Sequence, residues 1–428
     1  MAGFDLVLLF LGGLFGLLLI GVPIGFSLLL VAALLLYAMG NFDTRFVTQA
    51  VIFGANTFTL LAIPFFILAG NIMAHGGISK RLVGFVNAAV GHVRGGLGYV
   101  TIVSSVIFAG LSGSAVADAA ALGALLIPMM VAAGYDRAVA TALIVAAATI
   151  APIIPPSIPM ILFGVAAEVS IGRLFMAGIV PGLLMASGLM VCWYFIAKKH
   201  NYPAGQKASR QELWSSFKGS IAALVMPVII IGGIRFGVFT PTEAGSIAVI
   251  YAVILSLATR ELAVKDIPKV ILEAAKITGQ VMLVATAALS VAWVITIANI
   301  PREIVKMLSD LAGNQMGLLL IINAFLLMLG MVMDITPAIL IFAPILVSVV
   351  KFARIDVIYF GLIMVLNLVI GLITPPVGTV LYVGCAVGGI SLGQLVSRLM
   401  PFLLVLIGIL LLIVFVPSIV LVPLGWFY

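Results

Sequence analysis

Two proline-rich interruptions of apolar segments constrain this chain more than any other feature. The first is Ala148–Pro159, with the sequence ATIAPIIPPSIP, and the second is Gly371–Gly378, with the sequence GLITPPVG. Proline lacks a backbone donor and clashes with the preceding helical turn, so each stretch should break a helix. In lipid, the carbonyls that a break frees must find partners inside the protein. Broken helices at matching positions of two halves are typical of a transporter binding site.

The composition places these breaks in a membrane. Apolar residues make up 64% of the chain, charged residues only 8%, and the mean hydropathy is +1.36. A soluble domain has roughly 25% charged residues, so the sequence predicts an all-α polytopic membrane protein. The net charge of +7 is spread thinly over loops, which argues against nucleic-acid binding. The start of the chain lacks the basic segment of a signal peptide, so we expect the first helix to be retained.

The punctuation of the chain repeats after about 220 residues, which indicates two related halves. The first half is predicted at 1–197, with an amphipathic segment at 76–96, a re-entrant hairpin at 97–133 and a broken helix at 136–168. A hydrophilic linker follows at 198–218. The second half, 219–428, has its amphipathic segment at 300–312, its hairpin at 316–350 and its broken helix at 356–388. Four spacings support the repeat, and they are 218 residues from Pro23 to Pro241, 216 from Asp118 to Asp334, and 220 both from Asp136 to Asp356 and from Pro155 to Pro375.

The distribution of basic residues predicts the orientation. If the linker 198–218 is cytoplasmic, fourteen of the 21 Lys and Arg residues fall on the cytoplasmic side, as the positive-inside rule requires. The base of the first hairpin then lies at the cytoplasm and that of the second at the opposite face. The repeats are therefore predicted to be inverted, with both ends of the chain outside.

In each half, the hairpin tip should meet the broken helix near the middle of the bilayer. Hydroxyls and freed carbonyls there are hard oxygen ligands that suit sodium, and helix N-termini suit the carboxylate of a substrate. The first sodium site is predicted at Ser112, Gly113, Ser114, Pro155 and Ser157. The second is predicted at Gly330, Met333, Asp334, Thr336, Thr374 and Gly378. Candidate substrate-binding residues are Ser114, Asp118, Pro156, Thr336 and Pro376. The alternative is that these hydroxyls only bond to helix carbonyls one turn back.

The acidic residues leave other possibilities open. Asp118 and Asp334 could couple transport to protons, or could stabilise the start of the second hairpin arm by their charge. Asp136, Asp356 and Glu243 stand where helix caps are expected. A short serine motif, Gly110–Gly113, is shared with intramembrane proteases, but a base is needed beside the serine, and the three histidines lie outside the predicted spans. The sequence also lacks a phosphate-binding loop, so an enzyme is not predicted.

The chain resembles the large membrane subunit of TRAP transporters (tripartite ATP-independent periplasmic transporters) of the DctM type. The motifs that carry the resemblance are Ile63–Gly70 (IPFFILAG), Ser112–Ser114, Pro155–Ser157, Gly237–Ala244 (GVFTPTEA) and Thr374–Gly378. They are spread over nearly the whole chain. The resemblance implies an elevator fold, in which a transport domain moves against a scaffold and the amphipathic segments act as arms that hold it.

The resemblance also implies function and partners. A sodium gradient would drive import of an organic acid, with sialic acid or a C4-dicarboxylate as the substrate and Na⁺ as the coupling ion, without other cofactors. A periplasmic binding protein would deliver the acid, and a separate small four-helix membrane subunit would complete the complex in the bacterial inner membrane. Two alternatives stay open, namely a carboxylate transporter that needs no binding protein, coupled to sodium or protons, and a channel-like protein.

Overall fold

The computed structural model describes residues 3–40, 42, 44–307 and 314–427, and within them the regular structure is helical apart from one isolated bridge between Arg94 and Ala204. The helices of the first half are α1 (Gly3–Leu19), α2 (Ile24–Ala38), α3 (Thr44–Ala55), α4 (Ala62–His75), α5 (Ile78–Val90), α6 (Gly96–Ser112), α7 (Ala115–Ala132), α8 (Arg137–Ala148), α9 (Ile158–Ala166) and α10 (Ile171–Lys199). Those of the second half are α11 (Arg210–Arg235), α12 (Pro241–Ala258), α13 (Ile267–Ile297), α14 (Ile300–Met307), α15 (Gln315–Val332), α16 (Ile335–Phe352), α17 (Val357–Gly371), α18 (Thr379–Gly388), α19 (Leu392–Phe415) and α20 (Ser418–Phe427).

In the part of the chain that the structure describes, nine helices are long and apolar enough to cross a membrane. The all-α membrane fold predicted from composition is therefore confirmed. Hairpin 1 consists of α6 and α7, and hairpin 2 consists of α15 and α16. Because α7, α15 and α16 each have 18 residues, the depth to which the hairpins enter the bilayer stays a prediction.

Several predicted boundaries were wrong. The long segment before residue 76 was expected to bend at Pro64, but it breaks earlier, at a short 3₁₀ turn over Phe58–Leu61, and Pro64 lies within the first turn of α4, where proline is tolerated. The linker 198–218 is largely helical, because α10 continues to Lys199 and α11 already begins at Arg210. The last span ends at Phe415, before Pro417, and α20 follows. Residues 308–313 of the second amphipathic segment lie outside the described residues.

The first amphipathic segment forms α5, which is shorter than the predicted 76–96. Its apolar residues Ile78, Leu82, Val83 and Val86 are buried at helical spacing. Phe85 packs against Phe217 of α11, with ring centroids 5.5 Å apart. Arg81 Nε donates to Glu261 Oε1 at 2.6 Å, beyond the end of α12. Helix α5 is thereby attached to the scaffold through α11 and the α12–α13 connection.

The scaffold is built around α13, which packs against α2, α3 and α4, while α4 also lies along α12. Glycines allow these close approaches. A Cβ on Gly25 of α2 would lie 3.2 Å from Leu283 of α13, and one on Gly245 of α12 would lie 3.0 Å from the Cβ of Phe65. Within a membrane, helix association depends on such close packing, since lipid supplies no hydrophobic drive between helices.

The two halves have one constant register from the hairpins onward. Helices α7 and α16 both have 18 residues and start 220 residues apart, at Ala115 and Ile335. Helix α7 packs against α18, and α16 packs against α9. Exchanging the halves turns the first of these contacts into the second, as a two-fold relation between them requires. The packing therefore supports the internal repeat, whereas its orientation in the membrane stays a prediction.

Candidate functional site

The tip of hairpin 1 lies directly on the first helix break. Helix α6 ends at Ser112, and Gly113 takes a left-handed backbone conformation with φ of +60°. A Cβ on Gly113 would lie 2.6 Å from the carbonyl oxygen of Pro156 and 3.2 Å from the amide nitrogen of Ile158. Glycine is needed here both for the backbone conformation and for the close approach. The predicted meeting of Ser112–Ser114 with the first break is present.

The first break is a buried turn that is held by its own serine. The Pro155–Pro156 peptide bond is cis, and both prolines are buried. The Ser157 hydroxyl donates to the carbonyl of Pro152 and accepts from the backbone N–H of Met160 at 3.2 Å, so that it caps α9. Ser157 therefore has the structural role that was its alternative interpretation, and one hydroxyl lone pair remains for a cation.

Asp118 lies at the first hairpin tip, within the first turn of α7. Its side chain is completely buried, and its Oδ1 accepts a hydrogen bond from the Ser112 hydroxyl. Its Oδ2 has no hydrogen-bond partner among the described residues. Ser114 is half-buried and caps α7 by accepting from the N–H of Ala117 at 3.4 Å. A buried carboxyl oxygen without a partner is costly unless a cation, a proton or water meets it.

The tip of hairpin 2 is joined to the second break by backbone contacts. The N–H of Gly378 donates to the carbonyl of Met331 at 3.2 Å. One turn away, a Cβ on Gly330 would lie 3.0 Å from the Cα of Gly371, so α15 and α17 cross backbone against backbone. Met333 is buried beside this crossing. The second predicted tip and break therefore also lie together.

Two polar residues of this tip have local partners. Asp334 is the N-cap of α16, and its Oδ1 accepts from the N–H of Thr336 at 3.1 Å. The hydroxyl of Thr374 donates to the carbonyl of Ile370 at 2.7 Å, one turn back in α17. Both groups thus make the bonds of their structural alternatives, and their oxygens keep acceptor capacity. Pro376 is exposed, in contrast to the buried Pro156 of the first break.

Sequence reasoning missed three polar residues of the second half. The Thr379 hydroxyl at the start of α18 is buried and has no partner among the described residues. Asn367 of α17 donates through Nδ2 to Oδ1 of Asn323 on α15 at 2.7 Å, and to the Asn323 backbone carbonyl at 2.9 Å. Asn367 is completely buried. Thr379 directly follows the predicted ligand Gly378 and could have been included, whereas no local signal joins two asparagines that are 44 residues apart in sequence.

The predicted helix caps are confirmed. Asp136 accepts from the N–H of Val139 at 2.9 Å, and Asp356 accepts from the N–H of Tyr359 at 2.8 Å. Glu243 accepts from the N–H of its own N-cap, Thr240, at 2.7 Å. These three acidic side chains satisfy helix starts away from the tips, so they are not part of the candidate site.

The arrangement has a clear electrostatic character. Four helices begin at the tips and breaks, namely α7, α9, α16 and α18, and four end there, namely α6, α8, α15 and α17. The N-termini present free N–H groups and a positive dipole end, which favour an anion. The C-termini present free carbonyls, which favour a cation. The site can therefore accept an organic anion and a small cation of hard character together.

The sequence is similar to known transporter subunits over nearly its whole length. Residues 11–419 match the family model described as the DctM component of tripartite ATP-independent periplasmic transporters. The 2,3-diketo-L-gulonate TRAP transporter large permease protein of Escherichia coli is 48% identical over 98% of this chain and 99% of its own length. The sialic acid TRAP transporter large permease protein of Vibrio cholerae is 40% identical over 95% of each chain.

The fold is similar to that of a solved transporter structure. The crystal structure of the YdaH transporter from Alcanivorax borkumensis superimposes with a TM-score of 0.62 at 14% identity, over 88% of each chain. At that identity the likeness concerns the fold alone. The family model covers all of the motifs on which the resemblance was based, and the tip-and-break geometry lies within the matched residues. This chain belongs to the DctM family, the large permease component of tripartite ATP-independent periplasmic transporters.

Proposed function

We propose that this permease subunit imports an organic acid together with sodium ions, and that a soluble binding protein delivers the acid to it. The observation that carries the proposal is the pair of tip-and-break contacts, at Gly113 with Pro156 and at Gly378 with Met331. Each contact gathers hydroxyl and carbonyl oxygens next to helix N-termini. Such a combination suits a cation and a carboxylate bound side by side.

Sodium would bind at each tip, and the assignment of its ligands stays a prediction. The first site would use Ser112, Gly113, Ser114, Pro155 and Ser157, and the second Gly330, Met333, Asp334, Thr336, Thr374 and Gly378. The buried, unpartnered hydroxyl of Thr379 is a further candidate for the second site. The substrate would lie between the halves, near Ser114, Asp118, Pro156, Thr336 and Pro376. The packing of α7 against α18 supports this location, because it brings the two halves together there.

The movement would be an elevator-like displacement of hairpins and broken helices against the scaffold. An asymmetry of burial supports it. In α16, which packs against α13 and α14, 72% of the apolar window is buried, whereas in its equivalent α7 the fraction is 44%. A two-fold related pair with unequal burial is expected when one of two alternative positions is occupied. In that position the path along α7 and α18 would be open, while the path along α9 and α16 would be closed.

Among organic acids, we favour a sugar acid over a C4-dicarboxylate. The relatives whose names specify 2,3-diketo-L-gulonate and sialic acid are 48% and 40% identical to this chain. Both compounds carry one carboxylate and several hydroxyls. Helix N-termini would bind the carboxylate, and polar groups of the tips would meet the hydroxyls. Sialic acid was the sequence-based preference, and 2,3-diketo-L-gulonate now stands beside it.

The proposal is tested by uptake into proteoliposomes. The subunit would be reconstituted with the small four-helix subunit and the binding protein encoded with it, and a panel of labelled acids would be offered under a sodium or a potassium gradient. We expect uptake only with sodium and only with the binding protein. Uptake by this subunit alone would favour the stand-alone transporter, and uptake driven equally by a proton gradient would contradict sodium coupling. The test also needs an outside-facing population, since both termini and the binding-protein face are proposed to be periplasmic.

A further inference from the structure

A set of exposed cations lies where α10 ends and α11 begins. The set consists of Lys198, Lys199, Lys207, Arg210 and Lys218. None of the three ion pairs formed by described residues includes any of them. The only acidic residue of this segment, Glu212, is engaged with the N–H of Ser209 at 2.7 Å in the capping box of α11. The segment therefore presents concentrated positive charge without an internal counter-charge.

On α10 these cations continue an exposed apolar stripe. Val191, Tyr194 and Phe195 are exposed by 59%, 52% and 64%, and they precede Lys198 and Lys199 by one and two turns on the same face. The spacing of three, four, seven and eight residues keeps all five side chains on one side of the helix. An apolar stripe that ends in two lysines matches a lipid, whose acyl chains are followed by a charged headgroup.

Helix α11 has the same pattern in the opposite direction. Arg210 and Lys218 flank Trp214, which is 59% exposed, and Lys218 Nζ lies 5.4 Å from the centroid of the Trp214 ring. The exposed apolar residues Ile221 and Val228 continue the face toward the bilayer core. Tryptophan is enriched at the level of lipid headgroups. Since α10 and α11 are in contact, their cations lie at one end of a shared lipid-facing surface.

The connection between the two helices is held in place by aromatic and backbone contacts. The ring of Tyr202 stacks on Tyr135 with centroids 4.4 Å apart and on Trp193 with centroids 5.7 Å apart. The N–H of Gly95 donates to the carbonyl of Pro203 at 3.0 Å. The loop that carries Lys207 is thus fixed to the base of hairpin 1. Ordered backbone beneath the cations lowers the entropy lost when they bind a ligand.

We propose that the adjoining ends of α10 and α11 form a binding site for an anionic phospholipid, with its phosphate among Lys199, Lys207, Arg210 and Lys218 and its acyl chains along the exposed faces of both helices. Each basic residue near the surface contributes on the order of 1 kcal/mol to such binding, which is roughly fivefold in affinity. The site is independent of the transported substrate. It also lies on the segment that joins the two halves of the chain.

The purified protein in nanodiscs with defined lipids tests the proposal. Retention of phosphatidylglycerol would be measured by native mass spectrometry after release into detergent, with phosphatidylethanolamine as the zwitterionic comparison. The double variant Lys199→Gln/Lys218→Gln should lower retention of phosphatidylglycerol at least tenfold. The charge-preserving variant Lys199→Arg/Lys218→Arg should keep it. A matched control, Lys351→Gln/Arg354→Gln, removes two exposed cations near the α16–α17 turn and should leave retention unchanged.

Three results would overturn the proposal. They are unchanged retention in the glutamine variant, an equal loss in the Lys351/Arg354 control, and equal retention of phosphatidylethanolamine by the unaltered protein. The last result would mean that the apolar faces alone hold the lipid. Should the glutamine variant aggregate, the arginine variant decides the matter, because loss of phosphatidylglycerol in a folded arginine variant also contradicts a headgroup site.

Discussion

The crossing of Gly330 and Gly371 is expected to control both the stability of hairpin 2 and the sodium dependence of transport. In Gly371→Ala, the new Cβ would lie 2.6 Å from the Cα of Gly330 and 2.7 Å from its carbonyl carbon. Ordinary contacts of a Cβ are 3.4 Å or longer, so α15 and α17 must separate by about 0.8 Å. Because both neighbours are backbone atoms, no side chain can rotate away. Overpacking of this kind costs about 1–3 kcal/mol.

The same displacement should reach the second candidate sodium site. The hydrogen bond from the N–H of Gly378 to the carbonyl of Met331 is 3.2 Å long, and the carbonyl is next to Gly330. A further 0.8 Å would take the pair beyond hydrogen-bonding distance. A lost hydrogen bond of about 0.5–1.5 kcal/mol corresponds to a roughly two- to tenfold weaker dependence on sodium. We therefore expect both a lower unfolding midpoint and a higher sodium concentration for half-maximal uptake.

The assay combines thermal unfolding in nanodiscs with sodium titration of uptake in proteoliposomes. Gly330→Ala gives a graded comparison, because its Cβ would lie 3.0 Å from the Cα of Gly371 and the required shift is about half as large. Gly279→Ala in α13 is the control, since its Cβ would meet nothing within 4 Å and alanine favours a helix by up to about 1 kcal/mol. The reasoning is refuted if Gly371→Ala unfolds and responds to sodium as the unaltered protein does, or if Gly279→Ala is impaired equally.

Three further changes have defined expectations. Ser114→Ala and Thr374→Ala should each raise the sodium concentration for half-maximal uptake while the protein still elutes as a folded species; sodium titrations that match the unaltered protein in both variants would contradict the ligand assignment. Trp193→Phe removes the donor that binds the carbonyl of Gly95 at 2.8 Å and should lower the free energy of unfolding by about 1–3 kcal/mol, as measured by denaturant titration, with an unaffected midpoint as the contrary result. Asp356→Ala should lower stability by about 0.5–2 kcal/mol and leave the sodium response unchanged, whereas a shifted response would mean that this cap does more than start α17.

The breaks, tips and caps could be predicted from sequence because each has a local chemical cause. Proline ends helices, glycine takes the left-handed turn at Gly113, and Asp or Ser accepts the free N–H groups of a new helix. These rules act within four residues. They located the candidate site well enough that both predicted tip-and-break pairs lie together in the structure.

The pairing of Asp118 with Asp334 shows where local rules were insufficient. Their spacing of 216 residues departs from the register of 220, and the structure explains the difference. Asp334 is the N-cap of α16, while Asp118 is within the first turn of α7, so the equivalent of Asp334 is Ser114. Serine and aspartate are exchangeable as caps, and a comparison by residue type therefore matches the wrong carboxylate.

Long-range packing accounts for most of what the sequence could not predict. Asn323 and Asn367 each lie in an apolar helix, and only the crossing of α15 and α17 brings them together. The break at Phe58–Leu61 likewise lacks a proline or glycine. Its position depends on tertiary contacts, such as the Thr242 hydroxyl of α12 that donates to the carbonyl of Phe58 at 3.2 Å. Such contacts are set by the whole fold and leave no pattern within one segment.

The contacts of hairpin 2 favour a hairpin that moves with its broken helix rather than one that opens as a gate. Along α15 and α17 three attachments follow one another, namely the Asn323–Asn367 amide bond, the Gly330–Gly371 crossing and the bond from Gly378 to Met331. Opening would expose buried amides to a poorly solvating environment and would leave each without a partner. The contacts of α16 with α13 are formed by apolar side chains that can slide and re-pack. The lower barrier is thus expected between the hairpins and the scaffold, where an elevator-like displacement would occur.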